Sequence, residues 1–319
     1  MTMAATEKRE YKGIEIGRLV FACLIPFFHI ALYPNGLYLD IIRQYFARVG
    51  VAFFFAVSGM FLCRAVDKYG KRTAMRRYLI RVGRVFCIWL LLYIPLILSE
   101  SNPSVRTLIR ELIFRTPAYL WFLLGCCFAA IPFCLMKNQK IMYFAAIVLY
   151  AFGTFYGGSY RWLSGGCQTY ERHFLTTRNG LFFGFPLMCI GKLTWDIKKK
   201  NIPLLIVSGV ALTAEIYIVG KHVATGDDRS MYFMLPFFVL ELILLLREWN
   251  PSVNVGCFGK ISSAIYVMQY GIIFLGRKIL TSNNLIETYA IWLILLAVYV
   301  IPTGIVLLFR NKNIVKVLF

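Results

Sequence analysis

The nineteen residues at positions 291–309, IWLILLAVYVIPTGIVLLF, carry no charge. About 20 apolar residues in a helix span the roughly 30 Å hydrocarbon core of a bilayer. A helix of that kind also satisfies its own backbone hydrogen bonds in lipid, which a loop or open strand does not. Similar stretches recur near 14–33, 47–66, 78–99, 118–136, 140–157, 178–194, 202–220, 231–246 and 261–276. The chain is therefore predicted to be an all-α, polytopic integral membrane helical bundle with about ten transmembrane helices, forming one domain over residues 1–319. Composition points the same way. Hydrophobic residues make up 59% of the chain and its mean hydropathy is +0.67, whereas a soluble domain is about half apolar.

The formal charge of +20 would suggest nucleic acid in a soluble protein. Here the basic residues sit between apolar blocks, so they read as topology signals and contacts to membrane lipids, and nucleic-acid binding is excluded. With the N-terminus placed in the cytosol, the segments on that side hold the excess of lysine and arginine. This favours both termini inside, an even number of spans and a multi-pass protein of the cell membrane. The densest basic run lies at 64–84, with Arg64, Arg72, Arg76, Arg77, Arg81 and Arg84. It anchors the chain inside and also suits an anionic cytosolic ligand such as the phosphates of a coenzyme. The outer loop near 158–177, rich in Gly, Tyr, Thr and Arg, is placed to line the mouth of a site. Most cysteines fall inside apolar blocks, where they behave as small hydrophobes. With no CxxC pair and no Cys/His cluster, neither a metal site nor a disulfide scaffold is expected. The first ten residues are polar, and no signal peptide is expected before the first span.

An ionisable group within a span is costly unless paired or hydrated, so each is a functional candidate. The first span carries Glu15, Arg18 and His29. Arg18 and His29 are eleven residues apart, about three turns and about 16 Å along the axis, on one helix face. One stripe thus offers an anion binder at one depth and a proton-transfer group at another. In the second span Ser58-Gly59 permits close helix approach. Arg178 opens the sixth span, where Pro186 is expected to kink the helix. Glu215 and Glu241 lie in or near apolar blocks and are candidates for pairing with arginine.

Together these segments resemble the acyltransferase-3 family of membrane proteins. That family carries an Arg, ten residues and a His on its first helix, matched by Arg18 and His29, and then Phe-Phe-x-x-Ser-Gly, matched by Phe54 to Gly59. Leu120-Trp121-Phe122-Leu123 is similar to the family's Leu-Trp-Phe-Leu segment. Residues 178–191 resemble its sixth-span pattern, and GKISSAIYVMQY at 259–270 resembles its late Gly-Lys-x-Ser-x-x-x-Tyr segment. Two positions depart from the family: Tyr119 and Gln269 stand where many members carry histidine. The stretch TTRNGLFFGFPLM also resembles the membrane portion of vancomycin-resistance-type serine racemases.

The resemblance implies transfer of an acyl group, acetyl in the simplest case, from cytosolic acyl-CoA to a hydroxyl on an extracytoplasmic acceptor such as a cell-surface glycan. His29 would be the general base. Arg18 would hold an anionic part of the donor or stabilise charge at the thioester, and the 64–84 cluster would attract the coenzyme phosphates. Ser58, Tyr119, Trp121, Arg178 and Gln269 would shape the acceptor side. Acyl-CoA enters as co-substrate and no metal is required. The alternative is a transport module for a small substrate such as L-serine, as in membrane-bound serine racemases.

Overall fold

A computed structural model describes residues 11–30, 37–100, 119–163, 176–197, 199–223, 229–282 and 287–319. Among these residues there is no strand. The helices are α1 (Lys12–Ile30), α2 (Leu37–Tyr69), α3 (Lys71–Glu100), α4 (Trp121–Leu135) and α5 (Gln139–Tyr156). A π-helical turn (Gly180–Gly184) then runs into α6 (Phe185–Asp196). They are followed by α7 (Ile202–His222), α8 (Leu235–Glu248), α9 (Phe258–Ser282), α10 (Glu287–Leu308) and a short α11 (Asn313–Leu318). Each expected segment therefore holds a helix. Five of them, α2, α3, α7, α9 and α10, are long and apolar enough to cross a membrane by length and composition. The middle of the expected outer loop, residues 164–175, lies outside the described residues.

Local chemistry sets the boundaries. The side chains of Asn138 and Asn201 accept the first free amides of α5 and α7, as N-caps do. Gly70, at φ +77, makes the one-residue link between α2 and α3, a left-handed position that glycine fills without steric cost. Pro186 sits in the first turn of α6, where its missing N–H would have had no helical partner. It therefore does not produce the expected kink. The irregularity is the π turn just before it, whose Gly180 lies against the main chain of Gly125 on α4.

α2 is the central element. It packs against α1, α3, α4, α6, α7 and α8, and 61% of its most apolar stretch is buried, against 22% for α3 and 28% for α7 and α10. Its crossing with α6 is a backbone contact. A β-carbon on Gly59 would lie 2.2 Å from the Met188 carbonyl oxygen, and one on Gly191 would lie 1.9 Å from that of Ala56. Both glycines are thus required, as expected for Ser58-Gly59. The outer helices carry apolar residues on the outside: Leu91 on α3 is 66% exposed and Val210 on α7 is 65% exposed. Surfaces of that kind fit hydrocarbon, not water.

Glu215 and Glu241 do not take the arginine partners expected of them. Glu215 accepts hydrogen bonds from the Tyr160 hydroxyl (2.9 Å) and from the amides of Phe233 (2.6 Å) and Met234 (2.9 Å), at the start of α8. Glu241 accepts from the amide of Asn201 (2.7 Å). Both carboxylates satisfy backbone donors at helix starts, where the helix dipole favours negative charge.

Candidate functional site

A cavity of about 860 Å³ runs beside α2, between α1, α3, α4, α9 and the turn that leads into α6. Its α2 wall extends from Ala47 to Tyr69, about 33 Å at 1.5 Å per residue. The cavity therefore reaches through most of a bilayer thickness. At the Tyr69 end it is lined by Tyr11, Arg64, Arg77, Arg81 and Lys260, and at the other end by Arg48, Tyr119, Trp121, Arg178 and Gln269.

Arg18 projects into the cavity from α1, and three neighbours hold it there. Its Nη1 donates to both carboxylate oxygens of Glu15, at 2.9 and 3.0 Å. Its Nη2 donates to the Gly259 carbonyl at 3.4 Å. The Ser262 hydroxyl donates to the Arg18 carbonyl at 3.0 Å. A side chain at 259 would collide with this ion pair, since its β-carbon would lie 2.6 Å from both Arg18 Nη1 and Glu15 Oε2. The Gly259-Lys260-x-Ser262 segment thus has a physical role: glycine leaves room for the guanidinium and serine ties α9 to α1.

Ile25, seven residues beyond Arg18, also lines the cavity. Position 29 follows it by one further turn of the same face. The side chain of His29 lies outside the described residues.

The 64–84 cluster divides. Arg64, Arg77 and Arg81 line the cavity, while Arg72, Arg76 and Arg84 do not. The α3 positions that face it are Ala74, Arg77, Tyr78, Arg81, Val82 and Val85, a helical stripe with i, i+3, i+4, i+7 spacing. Residues 72, 76 and 84 fall off that stripe. Two of the lining cations rest on aromatic faces. The Arg64 guanidinium is 6.0 Å from the Tyr11 ring centre, and that of Arg77 is 4.2 Å from Tyr69. Midway along, Ser58, Tyr78 and Cys126 lie within hydrogen-bonding reach of one another.

At the far end, Arg178 lies over the Trp121 ring, 4.9 Å from its centre, a cation–π arrangement. Asn179 caps the π turn behind it by accepting from the amides of Leu181 and Phe182. Trp121 packs between Phe55 and Phe183. Tyr119 adopts φ 59, an uncommon region for a side chain of that size. Its carbonyl accepts the Tyr266 hydroxyl, and its ring meets Tyr270 edge-on at 5.8 Å. Gln269, 2% exposed, donates from Nε2 to the Tyr266 carbonyl at 3.1 Å. Tyr119 and Gln269 therefore meet the same tyrosine.

Arg48 and its surroundings were not singled out in the sequence. α2 begins at Leu37, ten residues before the expected span; this extension carries Asp40, Arg43 and Gln44, and Arg48 follows within the first turn of the expected span. Arg48 Nε donates to Gln44 at 2.8 Å. Asp40 accepts from Arg43 at 3.0 Å and from Arg229, in the segment before α8, at 2.7 Å. Their spacing of three to four residues was the available signal, along with arginines on the side that the charge rule leaves poor in them.

A model of the acyltransferase domain family matches residues 11–310. The chain belongs to the acyltransferase-3 family. It is also 26% identical to a serine/alanine racemase of Enterococcus gallinarum, over 95% of this chain and 46% of that protein. An amino-acid racemase of Enterococcus faecalis is 25% identical, over 82% of this chain and 41% of its own length. The chain thus spans less than half the length of these curated relatives. No solved structure matches it. As an acyltransferase-3 protein with several long apolar helices, it is a multi-pass membrane protein.

Proposed function

We propose that this chain is a membrane O-acyltransferase, moving an acyl group such as acetyl from cytosolic acyl-CoA to a hydroxyl of an extracytoplasmic glycan or related acceptor. The observation that carries this reading is the single cavity joining a basic mouth to an aromatic and arginine-lined far end. Lysine and arginine distribution assigns the Tyr69 end to the cytosol and both termini to that side, with ten crossings of the cell membrane.

The lining residues suit the donor. Arg64, Arg77, Arg81 and Lys260 at the mouth match the phosphates of acyl-CoA, and guanidinium groups bind phosphate oxygens with good geometry. Arg72, Arg76 and Arg84 then contact anionic lipid headgroups. In the reaction the acceptor oxygen forms a bond to the thioester carbon. The carbon–sulfur bond breaks and coenzyme A leaves as thiolate. The acceptor proton passes to His29 and then to the thiolate. Arg18, held by Glu15 and Gly259, steadies negative charge on the donor. The test is release of free CoA from acetyl-CoA by protein in nanodiscs, with and without a glycan acceptor. Full acyl transfer by His29→Ala would remove the base assignment.

The relatives named racemases favour a second reading, a module that delivers a small substrate such as L-serine to a catalytic partner. Uptake of labelled serine into proteoliposomes with no thioester turnover would establish it and overturn the enzyme reading.

A further inference from the structure

α1 carries a proline, Pro26, between the two residues assigned to the reaction. It stands eight residues after Arg18 and three before His29. A proline inside a helix has no N–H to donate, here to the Ala22 carbonyl, and its ring presses on that same carbonyl. The hydrogen-bond ladder of α1 is therefore open at Ala22. Helices bend at such points. In a membrane helix a neighbouring helix commonly makes good the lost bond.

That neighbour is α10. Tyr299 donates its hydroxyl to the Cys23 carbonyl, the next one along from Ala22, at 2.8 Å. A tyrosine in an apolar helix has to place its hydroxyl somewhere, so the bond alone carries no function. Its landing point does, because it lies in the turn that the proline opens. A second hydroxyl acts in the same way lower down, where Ser262 of α9 donates to the Arg18 carbonyl at 3.0 Å. The Arg18 guanidinium is tied separately, to Glu15 and the Gly259 carbonyl. Residues 18–23 are thus pinned by hydrogen bonds to α9 and α10. The segment past the proline is held by rings. Phe27 meets Trp292 of α10, and Phe28 stacks on Phe46 of α2 with centres 5.5 Å apart. A hydrogen bond fixes distance and direction, whereas ring contacts span a range of separations and angles.

We infer that α1 is a helix in two parts, hinged at Pro26, and that Tyr299 is the positioning residue that sets where the second part carries position 29. The first part keeps Arg18 in the cavity through its own contacts. Tyr299 braces α1 where the missing bond leaves it weakest, and so fixes the second part against the first. The inference rests on reading His29 as the base. Misplacing a reacting group by about 1 Å can cost up to a hundredfold in rate, so a base carried beyond a proline needs such a brace.

The experiment uses protein in nanodiscs with its histidines labelled with nitrogen-15. The sequence holds three histidines, and the His29 ring signal is the one lost in His29→Ala. In Tyr299→Phe that signal moves while the other two stay in place. The kcat for release of CoA from acetyl-CoA falls about tenfold, with KM unchanged. Pro26→Ala closes the ladder and by itself moves the His29 signal. In that background Tyr299→Phe changes neither signal nor kcat further, so the two substitutions are not additive. Ser262→Ala, on the Arg18 part, raises the KM for acetyl-CoA and leaves the His29 signal in place. If Tyr299→Phe does not fold, Pro26→Ala decides alone, and an unmoved His29 signal would overturn the inference. So would a Tyr299→Phe variant with a lower thermal midpoint but an unmoved signal, additivity with Pro26→Ala, or a raised KM at constant kcat. A moved signal with full kcat would leave the hinge standing and remove His29 as base. If the parent protein turns over no thioester, the His29 signal alone decides the hinge, and the enzyme reading falls separately.

Discussion

The two ends of the cavity both carry arginine, yet they hold it in different ways. At the Tyr69 end, Arg64 and Arg77 lie against tyrosine rings at the mouth, and the side chains of the Arg18–Glu15 pair are 24% and 20% exposed. At the Arg48 end, Arg229 and Asp40 are 1% and 5% exposed in a 2.7 Å ion pair. Charge open to water attracts a diffusing anion but is screened by salt over about 10 Å or less. Buried charge keeps its strength and has to be neutralised where it stands. One end therefore presents charge that salt weakens, the other charge that keeps its strength.

The largest effect should come from breaking the buried pair. Asp40→Ala strands Arg229 and should cost about 3–5 kcal/mol, read as a large fall in the thermal midpoint in neutral detergent. Arg229→Met in the same background should recover much of the loss, because the stranded charge is gone. Glu15→Ala, at the partly exposed pair, should cost about 1 kcal/mol or less. Equal losses at the two sites would mean that the ends do not differ in burial as described.

Next in size is the role of Arg18. Its alanine variant should lower thioester turnover about a hundredfold, comparable to removing one preorganised donor to developing charge. Arg18→Lys should restore part of this, because lysine keeps the charge and loses the second nitrogen that reaches the Gly259 carbonyl. Turnover unchanged by Arg18→Ala would move the donor elsewhere in the cavity. At the mouth, Arg77→Gln with Arg81→Gln should raise the KM for acyl-CoA about tenfold, whereas Arg72→Gln with Arg76→Gln should leave it unchanged. Raising salt from low to high should mimic the first pair and leave acceptor affinity less affected.

What the sequence revealed follows from these same differences in environment. Lipid-facing blocks such as 291–309 were legible because the bilayer imposes a continuous apolar run. Motif residues Arg18, Ser58, Trp121, Arg178 and Gln269 stand out in the sequence and converge on one cavity. The first ten residues of α2 were not legible as helix. Asp40, Arg43 and Gln44 lower the local hydropathy, and Asp40 and Gln44 are sheltered by protein, so the span read as 47–66 instead of Leu37–Tyr69. The split of the basic run into Arg77 and Arg81 against Arg72, Arg76 and Arg84 depends on which face of α3 meets α2, a tertiary fact that charge counting does not contain. The π turn at Gly180–Gly184 was hidden for a similar reason, since it arises from glycine packing against α4. The prominent proline nearby drew attention to the wrong residue.

The smallest expected effect tests how the two ends meet. Trp121 touches both Arg178 and Phe55, so it connects the Arg178 end of the cavity to the middle of α2. A cation–π contact of this kind contributes about 1 kcal/mol, or roughly fivefold in affinity. Trp121→Leu keeps the apolar packing and removes the ring face. Acceptor affinity should fall about fivefold, while the KM for acyl-CoA stays constant. A fall in both would show that the aromatic wall of Trp121, Phe55 and Phe183 also positions the donor, and that donor and acceptor share one surface. A fall in neither would show that Arg178 is held by the Asn179-capped turn alone, which would make the backbone at 176–180 the element that sets its position.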